Sequence, residues 1–300
     1  MRSINFKHSI IFFYLSILVS PLNKILDLNL IICLFLILII GISHGSLDNI
    51  KGKKLLKIFG FKSEYIFYIT YLAISSLIIL LWVIFPNIVL FLFLIVACYH
   101  FGKEDTVFFI EKKIFLNELL YFFKGSSVIV APLLFHRQET NEIFETLNFN
   151  IFENSLFNDG FLITILFLGF VSSLFLSNNK NINYKTVMMT DFISILIINF
   201  FLSPILAFTL YFCFLHSVRH SIALIFELDR SLKNGFKKFI RKAIPLTLIT
   251  GFVFIVAIYF LNNFYELNEA IYKVIFIGLA SLTFPHILLE YLIEKNEKRS

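Results

Sequence analysis

The residues with chemical potential in this chain are histidines set in segments that otherwise read as buried in lipid. His216 and His220 stand four apart in Phe214-Leu-His-Ser-Val-Arg-His220, so on a helix they share one face. Arg219 lies beside them. Three more histidines fall near the ends of apolar runs. His44 is in Gly41-Ile-Ser-His-Gly-Ser-Leu-Asp48, His100 in Tyr99-His-Phe-Gly-Lys-Glu-Asp105 and His286 in Phe284-Pro-His-Ile-Leu-Leu-Glu290. Ionisable side chains at membrane depth are costly, so their presence calls for a functional reading.

Neutral imidazoles suit Fe, Zn, Cu or Ni. A carboxylate follows three of these histidines by four residues: Asp48 after His44, Glu104 after His100 and Glu290 after His286. That spacing suits an acceptor orienting a ligating imidazole, and equally suits an ordinary interfacial charge. Arg219 could meet a carboxylate or snorkel to the interface. Asp191 reads as solvated near the end of its span. A site made of imidazoles leaves the charge of a divalent ion largely uncompensated and would accept a small ligand such as O2 or water. Oxygen chemistry on a lipid-like substrate and hydrolysis by metal-bound water both fit. So do two non-catalytic readings, axial haem ligation in an electron carrier and an ion path in a transporter.

The elements that must carry these residues are membrane helices. The chain of 300 residues is 58% hydrophobic and 15% charged, against about 25% charged in soluble domains. Apolar runs suggest about ten spans, near 8–21, 28–46, 65–85, 87–102, 119–135, 161–177, 187–203, 205–226, 245–262 and 270–293. The expected fold is an all-α polytopic bundle, one integral membrane domain over residues 1–300. The weakest boundary is the seventh to eighth span, where only Ser203-Pro204 offers a break. Residues 1–19 resemble a signal peptide, but Pro21 and the lack of a small-residue cleavage site favour a retained helix.

Loop charge orients the bundle. Segments 1–7, 46–64, 103–118, 178–186, 227–244 and 291–300 alternate along the chain to one side and hold 21 of the 26 Lys and Arg. By the positive-inside rule both termini are cytoplasmic, in the cell inner membrane. This pattern accounts for the +6 net charge without a nucleic-acid partner; the lipid bilayer is the expected surrounding. Counted at about 1.5 Å per residue, His44, His100, His216, His220 and His286 lie roughly 5–15 Å within the inner face. His136 falls at the opposite face, and His8 opens the first span as an interfacial residue. The three cysteines, Cys33, Cys98 and Cys213, have no metal or disulfide spacing. Phe108, Phe109, Phe212 and Phe214 could line an apolar tunnel, although most such residues simply pack.

Taken together, His-Gly-Ser-Leu-Asp (44–48), Tyr-His-Phe-Gly-x-x-Asp (99–105), Phe-Leu-His-Ser-x-Arg-His (214–220) and Pro-His-x-x-Leu (285–289) resemble the Brp/Blh family. These are bacterial and archaeal integral-membrane β-carotene 15,15′-dioxygenases. The resemblance implies cleavage of the central double bond of β-carotene by O2 to two retinal molecules, at a non-haem Fe(II) centre. It implies His44, His100, His216 and His220 as the metal-binding and catalytic set. Asp48, Glu104, Asp105, Arg219, His286 and Glu290 are then candidates beside the site. It also implies a functional link to a retinal-binding rhodopsin. The chain departs from the family where Ser43 and Asn49 stand in place of a frequent Pro and His.

Overall fold

A computed structural model describes residues 2–21, 30–61, 63–106, 115–150, 157–176 and 182–297, with the side chains of Arg2, His44, Ile182 and Glu297 outside that description. Phe108 and Phe109 also lie outside the described residues. The described chain is helical, in the order α1 (Arg2–Val19), α2 (Leu30–Leu36), α3 (Asp48–Ile58), α4 (Tyr65–Ile84), α5 (Pro86–Glu104), α6 (Phe115–Phe135), α7 (Arg137–Thr146), α8 (Asp159–Leu176), α9 (Ile182–Phe201), α10 (Pro204–Leu210), α11 (Val218–Leu228), α12 (Leu232–Leu261) and α13 (Leu267–Glu297). Among the described residues nine helices are long and apolar enough to span a bilayer, and Ser3–Val19 is a shorter apolar helix beside them. This is an all-α, multi-pass membrane fold.

Proline sets several boundaries. Pro86 and Pro204 each occupy a first helical position, where the missing N–H costs nothing. Ser203, at φ −57° and ψ 151°, is pushed out of the helical region by the proline after it, so the chain breaks between α9 and α10 as the sequence suggests. Segments between the apolar runs are partly helical. Residues 48–58 form α3, 137–146 form α7, and α12 begins at Leu232 well before its apolar stretch. Charged helical turns continue a span at no cost once they leave hydrocarbon, because their backbone bonds remain satisfied internally.

The segment carrying His216 and His220 is central. The apolar window of Pro204–Leu228 is 67% buried inside the bundle, against 6% for α4 and for α12. Large apolar residues on the outer helices face outward, among them Ile69, Leu72, Val83, Leu248, Phe252 and Tyr259. An exposed apolar surface this extensive suits lipid, not water. Helices α5 and α6 approach until their backbones touch. A Cβ on Gly102 would lie 1.8 Å from the Tyr121 carbonyl oxygen, and one on Gly125 would lie 1.9 Å from that of Cys98. Small residues allow this closeness, which dispersion rewards in a membrane.

Two π-helical segments interrupt the ladder beside the histidines. Ile37–Gly41 precedes the 3₁₀ turn Ile42–Leu47, which holds His44, and Tyr211–Ser217 holds His216. A π turn inserts an extra residue and releases backbone groups from the regular ladder. Here one carbonyl of each segment is bonded from another element. His8 Nε2 meets the Phe214 carbonyl at 2.7 Å, and Ser217 Oγ donates to the Gly41 carbonyl at 3.2 Å. His8 is therefore half-buried against the central segment, not simply interfacial.

Candidate metal centre

Four helical elements bring imidazoles to one place. His100 comes from the last turns of α5, His216 from the π segment, His220 from α11 and His286 from α13, and all four are buried. The His100 ring centroid lies 5.2 Å from that of His216 and 5.4 Å from that of His286, while His220 and His286 are 5.8 Å apart. The extra residue of the π segment changes the angular step between Leu210 and Val218, and so resets the direction in which His216 points. The backbone of His44 lies in the 3₁₀ turn leading to α3, and its side chain is outside the described residues.

The carboxylates are present, but they serve histidines of other helices. His216 Nδ1 lies 3.1 Å from Asp105 Oδ1, and the Tyr211 hydroxyl donates to the other Asp105 oxygen at 2.7 Å. His220 Nδ1 lies 3.1 Å from Glu104 Oε2. His286 Nδ1 lies 2.8 and 2.9 Å from the two oxygens of Asp48. An acidic residue one turn beyond a histidine extends past its own imidazole and reaches across to the neighbouring helix. Same-helix spacing alone could not show that. A carboxylate only accepts, so each Nδ1 donates to it; in the neutral ring that leaves Nε2 as the nitrogen able to ligate, the arrangement of ligating histidines.

Donor atoms of His100, His286 and Glu290 lie within 4.8 Å of one another, as do those of Glu104, His220 and Glu290. Ions that take imidazole at about 2.1 Å nearly span such a spread. Imidazoles, three of them with a carboxylate behind, are a donor set that fits a divalent transition metal. Glu290 is itself held by Lys51 at 2.8 Å, and Lys103 bonds Glu294 one turn further along α13, also at 2.8 Å. These two lysines tie α3 and α5 to α13 just beyond the histidines.

Arg219 does not face the imidazoles. Its guanidinium, fully buried, makes a bidentate pair with Asp191 of α9 at 2.7 and 3.1 Å. It also donates to the Asp105 carbonyl at 2.9 Å and to Ser9 Oγ of α1 at 2.6 Å. Asp191 is 1% exposed, which corrects its reading as a solvated residue. Its helix packs against α1 and α6, and a charge at that depth exists because a partner neutralises it. His136 stays remote, 3.7 Å from the Glu139 carboxylate at the start of α7. The departures from the resembling motif are accommodated locally. Ser43 bonds back to the Ile40 carbonyl at 2.7 Å, and Asn49 donates to the Tyr68 hydroxyl at 3.3 Å.

Sequence reasoning missed Tyr211, Tyr71 and Lys51. Tyr71 of α4 places its hydroxyl 3.1 Å from both Asp48 Oδ2 and the Leu282 carbonyl. Tyrosines are common in this chain, and nothing in their spacing distinguishes these two. The apolar side of the site is aromatic. Phe212 stacks on His216 at 5.9 Å and 15°, Phe208 stacks on Phe212 at 5.4 Å and 8°, and Phe208 meets Phe276 at 6.1 Å.

Comparison with known proteins shows what the chain as a whole is similar to. A protein from the uncultured marine bacterium 66A03, named beta-carotene 15,15′-dioxygenase, is 26% identical over 279 residues, covering 89% of this chain and 94% of that one. No solved structure matches. A family model described as beta-carotene 15,15′-dioxygenase matches residues 35–294, a stretch that contains every histidine of the cluster. The chain belongs to the β-carotene 15,15′-dioxygenase family.

Proposed function

We propose that this protein is a non-haem iron dioxygenase that splits the central 15,15′ double bond of β-carotene with O2, giving two molecules of all-trans-retinal. The observation that carries the reading is the buried convergence of His100, His216, His220 and His286, with carboxylates behind the last three, in a chain of this family. His44, His100, His216 and His220 would hold Fe(II), which when bound supplies open coordination positions for O2.

The chain's own residues provide placement. β-Carotene is a hydrocarbon and offers no hydrogen-bonding group, so shape alone must position its central bond. The flat faces of Phe208 and Phe212, stacked in line with the His216 ring, suit a planar polyene and lead toward the cluster. Holding the bond in reach of the reacting centre is where such walls contribute to rate. Both oxygen atoms are consumed, one on each carbon of the broken bond. No proton is gained or lost, and no general acid or base is needed. Asp105 and Glu104 act through His216 and His220 by fixing ring orientation.

Substrate arrives from the bilayer. The distribution of Lys and Arg supports cytoplasmic termini, with the histidines in the inner half of the inner membrane. A retinal-binding rhodopsin is the natural consumer of the product. Detergent-solubilised enzyme given β-carotene should consume one O2 and yield two retinal per carotenoid. Paired aldehydes of unequal length would contradict central cleavage.

A further inference from the structure

We propose that His286 is a further metal-binding imidazole of this centre, with Asp48 as its orienting carboxylate, for a divalent transition ion. The inference rests on the iron-site reading above and extends the donor set beyond the four motif histidines. His286 has the same construction as His216 and His220. Its Nδ1 is held by a carboxylate from another helix, here by both oxygens of Asp48, at 2.8 and 2.9 Å. The support behind it is itself fixed, because the Tyr71 hydroxyl lies 3.1 Å from Asp48 Oδ2.

Position separates a ligand from a packing pair. The His286 ring stands edge-on between two other imidazoles, 5.4 Å from His100 and 5.8 Å from His220. Its ligand nitrogen is within 4.8 Å of a ring nitrogen of His100 and a carboxylate oxygen of Glu290. A structural His–Asp pair needs no other donors around it, whereas a metal ligand requires them. The backbone is adapted at this point. Pro285 inside α13 removes one ladder bond immediately before His286, and the Leu282 carbonyl is bonded by Tyr71. Glu290, drawn to Lys51, lies 3.8 Å from His286 Nε2 and 4.0 Å from His220 Nε2. It borders the same donors.

Cobalt(II) tests this without turnover, because its visible ligand-field bands report the number and kind of donors. Purified full-length wild type, His286→Ala, His286→Gln, Asp48→Asn and the remote control His136→Ala would be titrated with Co(II), with folding followed by circular dichroism and gel filtration. The wild type and His136→Ala should bind one ion with the same spectrum. His286→Ala and His286→Gln should lose at least about tenfold in affinity and change the bands, and Asp48→Asn should shift in the same direction. Wild-type affinity and an unchanged spectrum in the folded His286 variants overturn the proposal while leaving the four-histidine centre standing. If only Asp48→Asn folds, an unchanged spectrum there overturns it. A wild type that binds no transition metal overturns the iron reading and this one together.

Discussion

Three imidazoles, His216, His220 and His286, are each fixed at Nδ1 by a carboxylate borrowed from a different helix. Removing the charge while keeping the shape should therefore weaken the site without collapsing it. Asp105→Asn is expected to lower Fe(II) affinity about 10–100-fold, read by metal titration, with helix content unchanged. His216→Ala and His220→Ala should reduce retinal formation to background in a chromatographic assay, whereas His136→Ala should retain it. That His100, His216, His220 and His286 would meet was legible in the sequence, because loop charge gives each helix a direction and a depth. Their carboxylate partners were not. A spacing of four residues says that two side chains share a face, but not which neighbouring helix that face meets.

At the level of elements, the site depends on close helix contact and on one buried ion pair. Gly102 and Gly125 let α5 meet α6 backbone to backbone, and α5 carries His100, Glu104 and, at its end, Asp105. Gly102→Val should force the helices apart, costing about 1–3 kcal/mol or more, and should release metal along with lowering the melting temperature in detergent. The Arg219–Asp191 pair joins α11 to α9, while Ser9 extends it to α1. Arg219→Ala leaves a buried carboxylate without its bidentate partner, so thermal unfolding should show a loss of about 3–5 kcal/mol. The break at Ser203-Pro204 could be read directly, since proline acts locally. The π segments and the burial of Asp191 could not. Both arise from packing between helices, and hydropathy treats each helix alone.

For the whole molecule, the apolar exterior of α4 and α12 around a buried central segment gives a bundle whose polar residues are spent inside. Mean composition and run length were enough to predict that architecture, because bilayer thickness fixes helix length. Sidedness adds a prediction. Reporter fusions at both termini should read cytoplasmic, and a periplasmic reading at both would reverse the orientation drawn from Lys and Arg. Chelation should abolish turnover, with Fe(II) restoring it. The central claim, that this chain forms retinal from β-carotene at the histidine cluster, is tested most directly by pigment analysis of β-carotene-producing cells with and without the protein. The account predicts bleaching and accumulation of retinal, both lost in His220→Ala. Unchanged β-carotene beside well-inserted wild-type protein, or full activity in His220→Ala, would contradict it.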